Sequence, residues 1–376
     1  MKSNYNQLGQ YIEMVSRTNS DLKYGIEDVR GCSNTKQMMQ TRANLIGRTY
    51  EKFIVLKPRE FVFNRRTTRN GEKIGMAYNN SDREYIFTND YVAFRVKREY
   101  LDKLLPDYLY LFFCRDEFDR YARYKSTGSA TEFFNWEDMC AVPFEIPPMD
   151  FQQLVVNTYK VLNERIEIKR KINDNLLDSV QAIFRSWFVD YDPFDGVCPS
   201  NWETGCVEDI AEFFDSMRKP LSSLERTDME RIYPYYGAVS IVDYVDDYIF
   251  DGEYLLVSED GIYVVDENGH PLIQHISGKF WANNHAHILK GKSGFNEDSL
   301  YLFLANTNMA PIVTGAAQPK INQANLKSFP ITIPDSETML KFNNIIQPFF
   351  DQRLTNESEI KKLEALQSLL LTRLVD

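Results

Sequence analysis

The densest run of hydrogen-bond donors in the chain is Asn64-Arg65-Arg66-Thr67-Thr68-Arg69-Asn70, followed by Gly71 and Lys73. Arg and Asn pair bidentately with guanine and adenine edges in the major groove, whereas Thr and Lys suit phosphate oxygens. The run therefore points to nucleic-acid binding from a turn-rich loop: Asn64, Arg65, Arg66, Thr68 and Arg69 form the cluster, with Lys73 and Lys125 better suited to phosphates. A solvated hairpin is the bland alternative for the same residues. In the second half of the chain Arg218-Lys219, Tyr235-Tyr236 and Lys320 are weaker candidates of the same kind.

Residues for bond-making chemistry do not assemble. Gly291-Lys292-Ser293 supplies only the end of a phosphate-binding loop, because Ala286 stands where its first glycine should be. No G-x-G-x-x-G follows a strand, no nucleophile elbow is present, and Tyr233-Pro234-Tyr235-Tyr236 lacks the amide that would hold a flipped adenine. His285 and His287 share one side of a strand but have no third ligand at metal-site spacing. The acidic pairs Asp246-Asp247 and Glu259-Asp260 read as solvated turns. The chain is therefore expected to be non-catalytic, with no cofactor and no metal of its own.

Composition bounds the rest. A chain of 376 residues, 43% hydrophobic and 14% aromatic, can build two or three cores. No apolar run reaches membrane-spanning length and the N-terminus shows no signal-peptide core, so a cytoplasmic location is expected. Five scattered cysteines form no C-x-x-C and imply free thiols. Net charge is -11, unevenly placed: residues 1–150 carry 23 basic and 21 acidic side chains, residues 191–330 carry 9 and 21. The first half could meet DNA unaided, whereas the second needs a local basic face or a partner.

The elements that would position the loops are written twice. Thr127–Pro147, TGSATEFFNWEDMCAVPFEIP, lies without a gap over Thr314–Pro334, TGAAQPKINQANLKSFPITIP. Upstream, DYLYLFF at Asp107–Phe113 answers DSLYLFL at Asp298–Leu304, and downstream Leu177, Gln181, Val189 and Asp190 answer Leu363, Gln367, Val375 and Asp376. Each repeat begins with short alternating runs broken by tight-turn residues, which predicts β-strands. Each ends in a helix-period stripe: Val155, Tyr159, Leu162 and Ile166, then Ile172, Leu176, Val180, Ile183 and Trp187; and Phe342, Ile345 and Phe349, then Leu363, Leu366, Leu370 and Leu374. Thr355–Ser358 is a candidate bend. Asn135 and Asn322 are placed to cap a short helix, and Pro147 and Pro334 stop the chain before each long one. The expected fold is α+β, with β-rich domains at 1–148 and 191–334 and long helices at 149–190 and 335–376. The two helices pair as an antiparallel coiled coil, although each could instead pack only on its own domain.

Taken together, FFDSMRKPLSS at Phe213–Ser223, YPYYGAVSIVDYVDDYIFDGEYLLVSEDG at Tyr233–Gly261, NNHAHIL at Asn283–Leu289 and the two Thr-Gly stretches give the chain its resemblance, over essentially its whole length, to the specificity subunit of type I restriction-modification systems. That resemblance implies two target recognition domains, each reading half of a bipartite site on double-stranded DNA, with the paired helices setting the spacer. It also implies docking of two adenine-methyltransferase subunits, with restriction subunits joining later. S-adenosylmethionine and ATP would belong to those partners. A different class fits composition and charge as well: a scaffold carrying two β-rich ligand modules on a coiled coil, without DNA.

Overall fold

The computed structural model describes residues 6–41, 45, 47–66, 73–126, 132–261, 264–315 and 317–374, so Thr67, Thr68, Arg69, Asn70 and Gly71 lie outside the described residues. The chain forms two compact units, one from residues 1–168 with 359–376 and the other from residues 169–358. Among the described residues no helix is long and apolar enough to cross a membrane.

In the first unit, runs rich in aromatic and β-branched residues form an antiparallel sheet in the order Ile12–Val15, Tyr91–Val96, Phe61–Asn64, Met76–Tyr78. Its register sets Phe61 beside Phe94 and Tyr78, whose rings stack on Phe61 at 5.0 and 4.7 Å. Two smaller pairs, Arg30–Cys32 with Met38–Gln40 and Ile54–Leu56 with Tyr85–Phe87, complete the β structure. Helices Pro106–Phe113 and Asp116–Lys125 place Phe113 and Phe118 in the same core as Phe61 and Phe94.

The second unit holds a six-stranded sheet ordered Ala211–Phe213, Ala286–Gly291, Phe250–Ser258, Ile273–Ala282, Tyr233–Tyr236, Ile241–Val245. Only the pairing of Tyr233–Tyr236 with Ile273–Ala282 is parallel. The repeated Thr-Gly stretch has a specific shape here. Thr314 and Lys320 exchange backbone hydrogen bonds of 2.8 Å, and Gly315 sits at φ +87°, where an added Cβ would lie 2.4 Å from the Gln318 carbonyl oxygen. Asn322 caps helix Gln323–Lys327 by accepting from the Asn325 amide at 2.8 Å, and the Asn135 amide donates to Asp138 at 2.9 Å to cap Trp136–Cys140.

The long helices run Met149–Phe188, 40 residues or about 60 Å, and Ser336–Thr372, 37 residues. Each begins just after its proline. Gln152, fully buried, ties the first helix down by donating to the carbonyls of Lys103 and Pro147 and accepting from the Leu105 amide. Asp335 caps the second by accepting from the amides of Glu337 and Thr338.

The helices pair antiparallel inside each unit. In the first, Ile166 packs with Ile360 and Leu363; in the second, Phe184 and Trp187 lie 6.3 and 5.8 Å from Phe342. Several readings of the stripe are corrected. Ile345 and Leu366 are 40% and 50% exposed and stand off the buried face. Ile172 is 41% exposed, and the buried position is Asn173, so the slip in the apolar period resolves onto a polar residue. The helix also continues unbroken through Thr355–Ser358, and through Pro348.

Candidate nucleic-acid interface

In the first unit the candidate surface forms where strand Phe61–Asn64 runs out. The Asn64 side chain accepts from the Arg66 amide at 3.0 Å, closing an Asx turn, and the Arg65 carbonyl accepts from the Phe134 amide at 2.9 Å. Arg65 projects into solvent. Arg66 is half-buried, its guanidinium 3.9 Å from Asp90. Lys73 reaches Asp116 at 3.3 Å from an exposed position, and Lys125, at the end of helix Asp116–Lys125, lies 5.8 Å from the rings of both Tyr121 and Tyr124. Tyr124 is 82% exposed, an aromatic face beside a cation. The alternation Arg120-Tyr121-Ala122-Arg123-Tyr124-Lys125 carries that signal in the sequence, yet only its lysine was singled out.

Below this surface lies a pair the sequence did not mark. Lys36 and Asp119 are both buried and paired; Lys36 also donates to the Ile74 carbonyl at 2.8 Å, and Asp119 accepts from the Ile74 amide at 3.0 Å. Burial pulls the Lys36 ammonium below its ordinary pKa, against the pull of Asp119.

In the second unit the candidates fall into different environments. Each nitrogen of Arg218 is engaged: Nη1 with Glu259 at 2.6 Å and the Ala286 carbonyl at 2.7 Å, Nη2 with Asp215 at 3.4 Å, and Nε with the Asp215 carbonyl at 3.0 Å. Tyr235 is 2% exposed and its hydroxyl accepts from the Leu221 amide. Lys320 bridges to Glu259 at 2.8 Å. Tyr236 is half-buried with its ring edge on Phe280, and Lys219 is exposed, its carbonyl accepting from the Trp281 indole.

Arg218 and Lys320 converge on a buried ionic network. His287, fully buried, sets Nδ1 2.6 Å from Asp215 and Nε2 2.8 Å from the Ile321 carbonyl, while Gln323 donates to Asp215 at 2.7 Å. Burial raises the Asp215 carboxyl, but the hydrogen bond and charge of His287, the Ile288 amide and Arg218 outweigh it and hold the group below the usual aspartate range. Glu259 follows the same logic, with Lys320 and Arg218 overcoming burial. Glu259 is thus 9% exposed and paired, not the solvated turn residue expected from its setting.

Ligand atoms of Asp215, Glu259 and His287 lie within 4.8 Å of one another. Both His287 nitrogens face oxygen acceptors, and both carboxylates already hold cationic side chains, so the group reads as a structural salt-bridge cluster rather than a metal centre. His285 does not join it and pairs instead with Asp260 at 2.7 Å.

A second buried pair sits nearby. Asp298 is pushed up to about 7 by burial and by Glu253, Asp351 and Glu297; His275 is pushed down to about 4 by burial and by Arg353. Their nearest atoms are 3.6 Å apart, and between those two pKa values both are neutral, so the contact is not an ion pair.

Duplicated β-rich units, each followed by a long helix that pairs antiparallel with its counterpart, define a two-domain repeat scaffold. The chain belongs to the family of the type I restriction modification DNA specificity domain, whose family model matches residues 18–178 and 199–366, one copy per repeat. As a specificity subunit of that family it recognises a DNA target sequence and is non-catalytic. It is 39% identical over 128 residues to a type I restriction enzyme specificity subunit of Haemophilus influenzae, spanning 34% of this chain but only 32% of that protein. It is 22% identical over 299 residues to the type I restriction enzyme MjaIX specificity subunit of Methanocaldococcus jannaschii, over 73% of this chain and 69% of the relative. The S subunit of the type I system from M. genitalium shares the fold, with a TM-score of 0.53 at 14% identity over 99% of this chain and 96% of that one.

Proposed function

We propose that this chain reads a bipartite site on double-stranded DNA, one half with each target recognition domain, and docks two adenine-methyltransferase subunits through its repeated regions, with restriction subunits joining that assembly. The domains are residues 1–148 and 191–334, and the helices at 149–190 and 335–376 set the spacer. The observation that carries this reading is the duplication itself: each repeat supplies a β-rich unit and a long helix, and the helices run antiparallel in both units. In the first domain the readers are Asn64, Arg65, Arg66, Thr68 and Arg69, with Lys73 and Lys125 on phosphates. In the second, Lys219, Tyr236 and Lys320 face the DNA, while Arg218 and Tyr235 support the surface from below.

The direct experiment inserts one helical turn, about four residues and so about 6 Å, into each long helix. The methylated site then gains a longer non-specific spacer, by nearly two base pairs, with unchanged half-sites. Altered half-sites with an unchanged spacer would refute the ruler. Mass measurement of the co-expressed complex checks the partners, and a one-to-one stoichiometry at saturating methyltransferase removes the pseudo-twofold assembly. The acidic second unit keeps the scaffold reading in play, and duplex binding that weakens steeply with salt separates the two.

A further inference from the structure

The apolar seam of the helix pair repeats every seven residues: Tyr159, Ile166, Val180 and Trp187 on the first helix, Phe342, Phe349, Leu363 and Leu370 on the second. The position missing from each series is an asparagine, Asn173 and Asn356, 8% and 2% exposed. Asn356 Nδ2 donates to Asn173 Oδ1 at 2.8 Å, and Asn173 Nδ2 donates to the Arg353 carbonyl at 3.4 Å. Lys169 and Gln352 donate to Asn356 Oδ1 at 3.2 and 3.1 Å.

A leucine at either place would extend the seam, so the amides add nothing to apolar burial. What they do is distinguish one alignment from its neighbours. Sliding the helices by one heptad sets seam positions against seam positions again, Ile166 against Leu370 and Trp187 against Phe349, but it places each asparagine against a hydrophobic residue, with its buried donors and acceptors unmet. We propose that the Asn173–Asn356 layer is the register key of the helix pair and, resting on the ruler reading above, a determinant of the DNA spacer. One heptad is about 10 Å, the length of about three base pairs.

The test uses the full chain with paired cysteines as reporters, Ile166→Cys with Leu363→Cys for the native register and Ile166→Cys with Leu370→Cys for the displaced one, read by peptide mapping after oxidation. With both asparagines present only the native pair cross-links. Asn173→Leu with Asn356→Leu yields both products. Asn173→Leu with Val180→Asn, which moves one amide by a heptad and leaves Asn356 in place, makes the Leu370→Cys product dominant. Native cross-linking alone in both variants overturns the register key. Displaced cross-links with an unchanged spacer, read by methylation of a panel of spacer lengths in the methyltransferase assembly, keep the key and remove the ruler.

Discussion

The two units use their basic side chains in opposite ways. In the first, Arg65 stands in solvent and Lys73 makes a surface contact with Asp116, while the buried charge pair beneath uses Lys36, a residue from another part of the sequence. In the second, Arg218 and Lys320, two of its nine basic residues between 191 and 330, are drawn into the network of Asp215, Glu259 and His287. A duplicated scaffold thus repeats its caps and helices while its candidate contact residues serve structure in one copy, at Arg218 and Lys320, and stand at the surface in the other, at Arg65 and Lys73. Basic residues near a loop do not indicate a contact until their carboxylate partners are known.

The contrast breaks most readily at Arg218. Arg218→Ala leaves Asp215 and Glu259 without their guanidinium in a largely buried site, a loss of about 3–5 kcal/mol that thermal melting detects as destabilisation of the second unit. Melting within 1 kcal/mol of the parent would free Arg218 as a DNA reader and erase the difference between units.

Titration sharpens it next. Asp298 has a folded pKa raised from 3.8 to about 7, so the stability it contributes is complete below pH 3.8 and is lost as pH rises through 7. Asp298→Asn therefore removes a downward contribution and makes the slope of melting temperature against pH between 4 and 7 more positive than the parent's. A slope equal to the parent's would show that Asp298 does not titrate with folding. His275, lowered to about 4, acts in the other direction: its contribution is complete above pH 6.5 and is lost as pH falls through 4.

Readout comes third. Arg65→Ala removes a bidentate base contact, costing about 1–3 kcal/mol at one position of one half-site and leaving melting unchanged. Affinities of the assembled methyltransferase for single-base site variants check it, and an equal loss for every variant makes Arg65 a phosphate or structural residue. The smallest effect belongs to Lys125→Ala, which weakens all sequences alike and flattens the salt dependence by about one unit of slope. Titration of duplex binding over salt concentration reads it directly.

Architecture was more legible than the site because repeats, caps and helix periods are local patterns. The helix at 149–190 was placed from its stripe and the observed helix is Met149–Phe188, with Asn135, Asn322 and both prolines acting as their types dictate. The error at Ile172 arose because an apolar residue adjoined a seam position that folding assigned to Asn173. The network was illegible for a different reason: Asp215, Arg218, Glu259, His287 and Lys320 are separated by up to about a hundred residues and meet only through strand order. Tyr124 was missed although its signal was local.

Leu374 has one further consequence. The segment from Glu359 onward belongs to the first unit, where Leu374 is 3% exposed in the core with Phe61 and Phe94 and its carbonyl accepts from the Tyr108 hydroxyl 266 residues earlier. On the ribosome, Tyr108 emerges long before its partner. At about 5–20 residues per second the wait from residue 168 to residue 374 is on the order of ten to forty seconds. The half of the protein made first is therefore completed last, and until then the nascent chain offers an open hydrophobic flank to whatever chaperone attends it.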